Sequence, residues 1–248
     1  MEALGPAQIA FCILVVTAAF AVRGTTGFGG NAIAVPLLTL MLPIHTVLAV
    51  MTVLTVVSSL GHWASDWRRI VWREIVRVAP FTLIGVLVGL QLFQSLDTRT
   101  LTRIFGAFVI LYALFAMTTA RRTLSPSRRL LWPLAIGLSS LAGVVGTVFG
   151  GVAGPLYAIY LNILQLDKDR FRVTITTILM VQALMRITGY VALDFYGAGT
   201  LLLLGSALPL VWIGAGIADR FSARINQQVF NRVVGAVLMV SGATLLLK

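Results

Sequence analysis

Two glycine-rich clusters carry the residues of this sequence best suited to bind a small ligand. The first runs from Arg23 to Asn31 as Arg-Gly-Thr-Thr-Gly-Phe-Gly-Gly-Asn, and the second runs from Gly146 to Pro155 as Gly-Thr-Val-Phe-Gly-Gly-Val-Ala-Gly-Pro. Each cluster interrupts an apolar stretch, where glycine lets the backbone turn and lets another group approach closely. The second arm of each broken stretch is predicted to start near Gly30 and Gly151, and a helix that begins at such a break presents N–H groups and a positive dipole end, which favour an anion.

Polar side chains in and near these clusters extend the prediction of an anion site. Arginine, threonine, asparagine, glutamine and tyrosine can all donate hydrogen bonds to an anion. The Ser and Thr residues at 52, 55, 58 and 59 recur at helical spacing and either line a polar path or contact another helix. The predicted substrate-binding residues are Arg23, Thr25, Thr26, Phe28, Gly29, Gly30, Asn31, Thr147, Phe149, Gly150, Gly151, Gly154, Tyr157, Gln182 and Arg186.

Each of these assignments has a structural alternative. The glycines can serve close helix packing alone. The Arg23 side chain can extend from the first glycine cluster to a membrane interface. The Arg186 side chain can also extend to an interface, or it can pair with Asp194. Gln182 can bridge two helices instead of lining a cavity, and Tyr157 can reach either a substrate oxygen or a neighbouring helix.

The composition places the chain in a lipid bilayer. Hydrophobic residues make up 58% of the 248 positions and charged residues 11%, with a mean hydropathy of +0.97. Soluble domains have about 25% charged residues, so a water-soluble fold is excluded. Cys12 is the single cysteine, and the sequence has no metal-ligand cluster, nucleotide-binding loop or hydrolytic triad. We therefore expect no catalytic residues, no metal and no cofactor.

Apolar stretches predict an all-α polytopic membrane protein built from two repeats. Six stretches are long enough to cross a bilayer as single helices. Two further stretches are broken by the glycine clusters, and each is followed by three of the six helices. Gly29 and Gly150, which lie in matching Phe-Gly-Gly sequences, are 121 positions apart. The predicted helices are 44–63, 78–95, 99–119, 173–192, 199–218 and 228–247. The broken stretches are 7–42 and 130–166. The predicted domains are a first repeat at 1–120, a linker at 121–129 and a second repeat at 130–248.

Basic residues predict how the two repeats are oriented. Of the 19 Lys and Arg residues, most lie in four short loop regions, as the positive-inside rule predicts for cytoplasmic loops. Placing 64–77, 120–129, 167–172 and 219–227 on one side makes both broken stretches re-entrant hairpins and gives the halves opposite orientations. The alternative is that each broken stretch crosses the membrane once. The net charge of +11 then needs no nucleic acid to explain it.

These residues resemble a known family. Gly27-Phe-Gly-Gly followed by Pro36, and Gly146 through Pro155 with Tyr157 and Leu161, are similar to the paired signatures of the TauE/SafE sulfite exporter family. The resemblance covers essentially the whole chain and implies outward transport of sulfite, sulfonates or related anions.

On this basis we predict a secondary transporter or facilitator, a multi-pass protein of the cell inner membrane. An anion channel and a structural membrane subunit without transport are the alternatives. The predicted partners are a small anionic substrate and the lipid bilayer, with no nucleic acid and with a homodimer as one possible assembly.

Overall fold

The computed structural model describes residues 5–119, 131–221 and 227–247, and this part of the chain is helical without a β-strand. Most helices are long, as expected where lipid leaves the backbone no water to bond with. The helices are α1 (Pro6–Thr26), α2 (Gly30–Thr39), α3 (Ile44–Asp66), α4 (Trp72–Ser95), α5 (Thr98–Thr119), α6 (Leu131–Val148), α7 (Gly154–Asn162), α8 (Lys168–Ala192), α9 (Ala198–Phe221) and α10 (Gln227–Leu247), with a 3₁₀ turn at Trp67–Arg69.

The helical surface is suited to lipid. Six of the described helices are long and apolar enough to cross a membrane, namely α1, α3, α4, α6, α8 and α9. Large apolar side chains such as Val76, Leu111 and Leu202 are exposed on their outer faces. An apolar surface of this extent is unfavourable in water and favourable in hydrocarbon. The fold is therefore that of a polytopic membrane protein.

The first broken stretch folds back on itself. Gly27 and Gly29 have φ of 82° and 90°, values that L-residues with side chains rarely adopt, and they turn the chain between α1 and α2. At Gly30, the first residue of α2, an added Cβ would lie 2.5 Å from the carbonyl oxygen of Ala19. Ala19 lies two turns before the end of α1, so α2 runs back along it. We call α1 and α2 the first hairpin and residues 27–30 its tip.

The second broken stretch folds back in the same way. Gly150 and Gly151 have φ of 70° and 86° and form the turn after α6. Trp132 at the start of α6 and Tyr160 near the end of α7 both contact Arg77 of α4. Since the two ends meet the same residue, α7 returns along α6. We call α6 and α7 the second hairpin and residues 150–153 its tip.

The remaining helices surround the two hairpins in matching pairs. α3 packs against α8 at the centre, and α5 packs against α10. α1 packs against α9 and α4 against α6, while α3 contacts α9 and α8 contacts α4. Exchanging each helix of the first half with its counterpart in the second half leaves these pairings unchanged. Close glycine contacts mark two of them, at Gly85 with Gly143 and at Gly106 with Gly242.

Ion pairs join the ends of α3 and α8. Arg69, which follows α3, lies 2.8 Å from Asp169 in the first turn of α8, and Arg172 lies 3.7 Å from Asp66. Residues 66–69 and 169–172 are therefore at the same end of the molecule. The arrangement in which each broken stretch crosses the membrane once would have put these segments at opposite ends.

The predicted helix boundaries need three corrections. The helix predicted at 78–95 begins at Trp72, and the helix predicted at 173–192 begins at Lys168. Both helices begin in a polar segment that precedes the apolar stretch. At α8, for example, Asp167 caps the first turn by accepting a hydrogen bond from the Arg170 amide at 2.9 Å. The return arm predicted to start near Gly151 starts at Gly154, with Pro155 in its first turn. The predicted linker at 121–129 lies outside the described residues.

Candidate functional site

Arg23 lies buried in the last turn of α1. Its side chain is held by two hydroxyl groups of α3, with Nε donating to Ser58 Oγ at 2.8 Å and one Nη donating to Ser59 Oγ at 2.9 Å. Ser59 in turn donates to the carbonyl oxygen of Thr55. The residue is 2% exposed, so its guanidinium group does not reach an interface as the structural alternative required.

Arg186 lies buried on α8 beside the second tip. One Nη donates to the carbonyl oxygen of Gly146, while Nε has no hydrogen-bond partner among the described residues. The residue is 1% exposed, and no ion pair links it to Asp194 in the described part of the chain. One turn later on α8, the Tyr190 hydroxyl donates to the carbonyl oxygen of Thr147 at 2.6 Å. α8 therefore binds two consecutive carbonyl groups, those of Gly146 and Thr147, near the end of α6.

The two tips meet between these arginines. Asn31 Nδ2, just after the first tip, donates to the carbonyl oxygen of Gly150 at 2.8 Å and to Thr55 Oγ1 at 3.0 Å. An added Cβ at Gly151 would lie 2.6 Å from Asn31 Nδ2 and 3.0 Å from an Nη of Arg186. The predicted residues Asn31, Gly150, Gly151 and Arg186 are thus brought together by the fold.

Two further predicted residues join the tips. Phe28 lies against the start of α7, where an added Cβ on Gly154 would be 2.8 Å from the Phe28 side chain. On the other side of the first tip, Thr176 of α8 donates to the carbonyl oxygen of Gly27 at 3.2 Å. Gly29 is different, because no atom lies within 4 Å of the position that its Cβ would occupy. The first tip therefore has open space beside it.

The charges of this region are unbalanced. Neither Arg23 nor Arg186 forms an ion pair with a carboxylate in the described residues, and the two guanidinium groups are close enough for their charges to repel each other. A buried charge without a counter-ion costs several kcal/mol even after relaxation. Guanidinium groups bind planar and tetrahedral oxyanions through paired N–H donors. The site is therefore suited to an anion that would balance these charges.

The predicted threonine donors do not point into the site. Thr25 and Thr26 donate to the carbonyl oxygen of Val22 at 2.8 and 3.0 Å, and Thr147 donates to that of Gly143 at 2.8 Å. Hydroxyl groups in helices commonly bond to the carbonyl three or four residues earlier. In this conformation Thr25 and Thr147 stabilise the last turns of α1 and α6, and Thr26 also bonds to the backbone of Phe28 in the first tip.

Three other predicted residues contact neighbouring helices. The Tyr157 hydroxyl bonds to Thr82 Oγ1 at 2.8 Å, so it is directed towards α4. Phe149 stacks on Phe108 of α5 with ring centroids 4.6 Å apart. Gln182 Nε2 donates to the carbonyl oxygen of Ala142 at 2.6 Å, but its Oε1 is buried without a partner in the described structure. Gln182 thus bridges two helices and keeps one acceptor unused.

Some residues that build the site were not predicted. Tyr190 lies one turn beyond Arg186 on the same face of α8, a spacing that could have identified it. Glu74 precedes the apolar part of α4, where hydropathy gives no signal, and it is buried and accepts hydrogen bonds from Tyr160 and, at 2.6 Å, from Arg77. This cluster attaches α7 to α4. Thr176 had no distinguishing signal in the sequence.

These observations define a polytopic membrane protein with a buried, positively charged centre. Residues 12–245 match the family described as Sulfite exporter TauE/SafE. The chain belongs to the TauE/SafE sulfite exporter family, whose members are membrane transporters and not enzymes. It is accordingly a multi-pass transporter of the inner membrane, with a small molecule as its substrate.

Two curated proteins are similar to the chain over most of its length. The probable inner membrane transporter protein TsaS of Comamonas testosteroni is 26% identical over 199 residues, which cover 77% of this chain and 79% of the relative. The probable membrane transporter protein YjnA of Bacillus subtilis (strain 168) is 28% identical over 249 residues, which cover 91% of this chain and 95% of the relative. No solved structure matches the chain.

Proposed function

We propose that this protein is a secondary transporter or facilitator that exports small sulfur-containing anions, such as sulfite or a sulfonate. The observation that carries this proposal is the pair of buried arginines, Arg23 and Arg186, without a carboxylate partner in the described residues. The family supplies the substrate class, and the charge of the site agrees with it. An anion that enters this region would relieve the repulsion between the two guanidinium groups.

The proposed architecture is an inverted repeat, with 1–120 and 130–248 as the repeats. Each repeat would contribute one re-entrant hairpin and three crossings, which is an odd number and gives opposite orientations. Three features support it: both broken stretches fold back, the pairings of α3 with α8, α5 with α10, α1 with α9 and α4 with α6 are unchanged by exchange of the halves, and residues 66–69 and 169–172 lie at one end. The positive-inside rule then makes that end cytoplasmic.

In this architecture the substrate site is the region where the tips meet. Arg23 and Arg186 attract the anion, and backbone N–H groups of the tips orient its oxygens. Gly29 provides the open space that an anion needs beside the first tip. The proposed direction of transport follows from the membrane potential, since moving one negative charge out of a negative interior gains about 2.3 kcal/mol per 100 mV.

Flux measurements in proteoliposomes test this proposal. Purified protein is reconstituted, and efflux of sulfite, an alkylsulfonate, sulfate and chloride is followed at a fixed membrane potential. We expect saturable efflux of sulfite or the sulfonate that is accelerated by the same anion on the other side, as a carrier requires. Flux that does not saturate would favour a channel. Absence of flux for all sulfur anions by well-folded protein would contradict the proposal.

A further inference from the structure

The two buried arginines are held by different parts of the fold. The first tip, which begins one turn after Arg23, is fixed to α8 by the hydrogen bond from Thr176 to Gly27. Arg186 lies on the same helix, ten residues after Thr176. Each arginine also has its own neighbours, since Arg23 bonds to hydroxyl groups of α3 and Arg186 bonds to the backbone that precedes the second tip.

The contact between the tips separates the two guanidinium groups. Asn31 bonds to Thr55, which lies one turn from Ser59 and so faces the Arg23 side, and it also bonds to Gly150. The Gly151 backbone fills the space between Asn31 and Arg186, since an added Cβ there would be within 3.0 Å of both side chains. In this conformation the Asn31 side chain and the Gly151 backbone therefore lie between the hydroxyl groups that hold Arg23 and the Arg186 guanidinium group.

The Arg186 side of this contact is itself equipped to hold an anion. Its Nε is a buried N–H donor without a partner among the described residues, which is costly unless a ligand accepts the bond. Three aromatic rings pack together next to Arg186. Tyr190 lies one turn after Arg186 on α8, and its ring centroid is 6.0 Å from that of Phe93 and 5.4 Å from that of Phe195. Such a cluster excludes water and strengthens the charge interaction.

From this geometry we infer that the chain has two successive anion positions, one at Arg23 and one at Arg186, divided by the Asn31–Gly150 contact. The inference rests on the proposed function and adds a sequence of events to it. An oxyanion binds first beside Arg23, Ser58 and Ser59. When the tips separate, the bond from Asn31 to Gly150 opens and the anion moves to Arg186. The anion interacts with the two positive charges in succession, and not with both at the same time.

Isothermal titration of the purified protein with sulfite tests the two positions. The buffer anion should be gluconate, which is too large to occupy either position. The variants are Arg23→Gln, Arg186→Gln and the double variant, with Arg99→Gln as the matched control because Arg99 is an exposed arginine at the start of α5. We expect two sulfite ions per chain in the wild type and in Arg99→Gln, one in each buried-site variant, and none in the double variant.

The alternative arrangement has a different outcome. If both arginines hold one shared anion, the wild type binds a single sulfite and each buried-site variant loses affinity by about tenfold or more, which would overturn the inference. If the folded wild type binds no sulfite or sulfonate at all, the proposed function fails with it. Arg23→Lys and Arg186→Lys keep the positive charge and replace any glutamine variant that does not fold; both should retain two bound ions at reduced affinity.

Discussion

Both hairpins turn at a Phe-Gly-Gly sequence, residues 28–30 in the first and 149–151 in the second, but the two sequences have different surroundings. At the first tip, Gly29 has φ of 90° and open space around its missing Cβ. At the second tip, Gly150 has φ of 70°, and an added Cβ would overlap the side chain of Leu48. Gly151 is likewise enclosed by Asn31 and Arg186. The repeated motif therefore gives open space at Gly29 and a crowded position at the matching Gly150.

The return arms of the hairpins, α2 and α7, also differ in the number of hydrogen bonds that attach them to neighbouring helices. α7 is tied to α4 at two points, through Tyr157 to Thr82 and through Tyr160 to Glu74. α2 is tied to α3 in its first turn, where Asn31 bonds to Thr55. Polar bonds between helices are costly to break inside a membrane because the freed groups have no water to bond with. We expect the first hairpin to move more easily than the second.

Alanine at the two tips should separate strain from crowding. Gly29→Ala should lower the free energy of unfolding only through the strain of an alanine in the left-handed backbone conformation, by about 1–2 kcal/mol. Gly150→Ala adds overlap with Leu48, which should raise the total to about 2–5 kcal/mol. The midpoint of thermal unfolding of each purified variant measures the difference. Equal midpoints would contradict the crowding of Gly150 by Leu48.

Removal of the bond between the tips should have the next largest effect. Asn31→Ala leaves the Gly150 carbonyl and Thr55 without this partner, at an expected cost of about 1–3 kcal/mol. Transport should fall as well, because the partition between the arginines is lost. Asn162→Ala, at the exposed end of α7, is the matched control and should leave both unfolding and sulfite flux unchanged. A fully active and stable Asn31→Ala variant would show that the tips do not depend on this contact.

The anchoring of α7 can be tested with carboxylates of different burial. Glu74 is 7% exposed at its side chain and bonds to Tyr160 and Arg77, while Asp169 is 51% exposed and pairs with Arg69. We expect Glu74→Gln to destabilise the protein by about 1–3 kcal/mol. Asp169→Asn should cost about 0–1 kcal/mol. Thermal unfolding of both variants measures the two effects, and the reverse order would contradict the anchoring role of Glu74.

Much of the fold follows from the sequence because lipid imposes simple rules. Apolar stretches predicted where the long helices lie, and the glycine clusters predicted where two of the apolar stretches break. The errors fall at polar helix ends, as at Trp72 and Lys168, because hydropathy does not register a helix that continues into the interface. The start of α7 at Gly154 depends on a turn whose dihedral angles the sequence does not specify.

The site was predictable where residue type alone decides the outcome. A buried arginine must meet a polar partner, and a glycine with positive φ must lie at a turn; of the predicted residues, Arg23 and Gly150 lie in the two hairpins and Arg186 lies on α8 beside the second tip. Side-chain direction was not predictable. Thr25 could equally have bonded to its own helix or to a ligand, and Tyr157 turned towards α4 because Thr82 lies opposite it.

The central claim is that a buried arginine binds the transported anion, and the dissociation constant of sulfite for Arg23→Ala tests it most directly. Loss of a charge-assisted hydrogen bond costs about 1.5–3 kcal/mol, which corresponds to roughly ten- to hundredfold weaker binding at the Arg23 position. Arg23→Lys should recover part of this loss, since lysine keeps the charge but lacks the planar set of donors. We predict this order of affinities for variants with matched unfolding midpoints. An unchanged set of sulfite dissociation constants in Arg23→Ala would contradict the account.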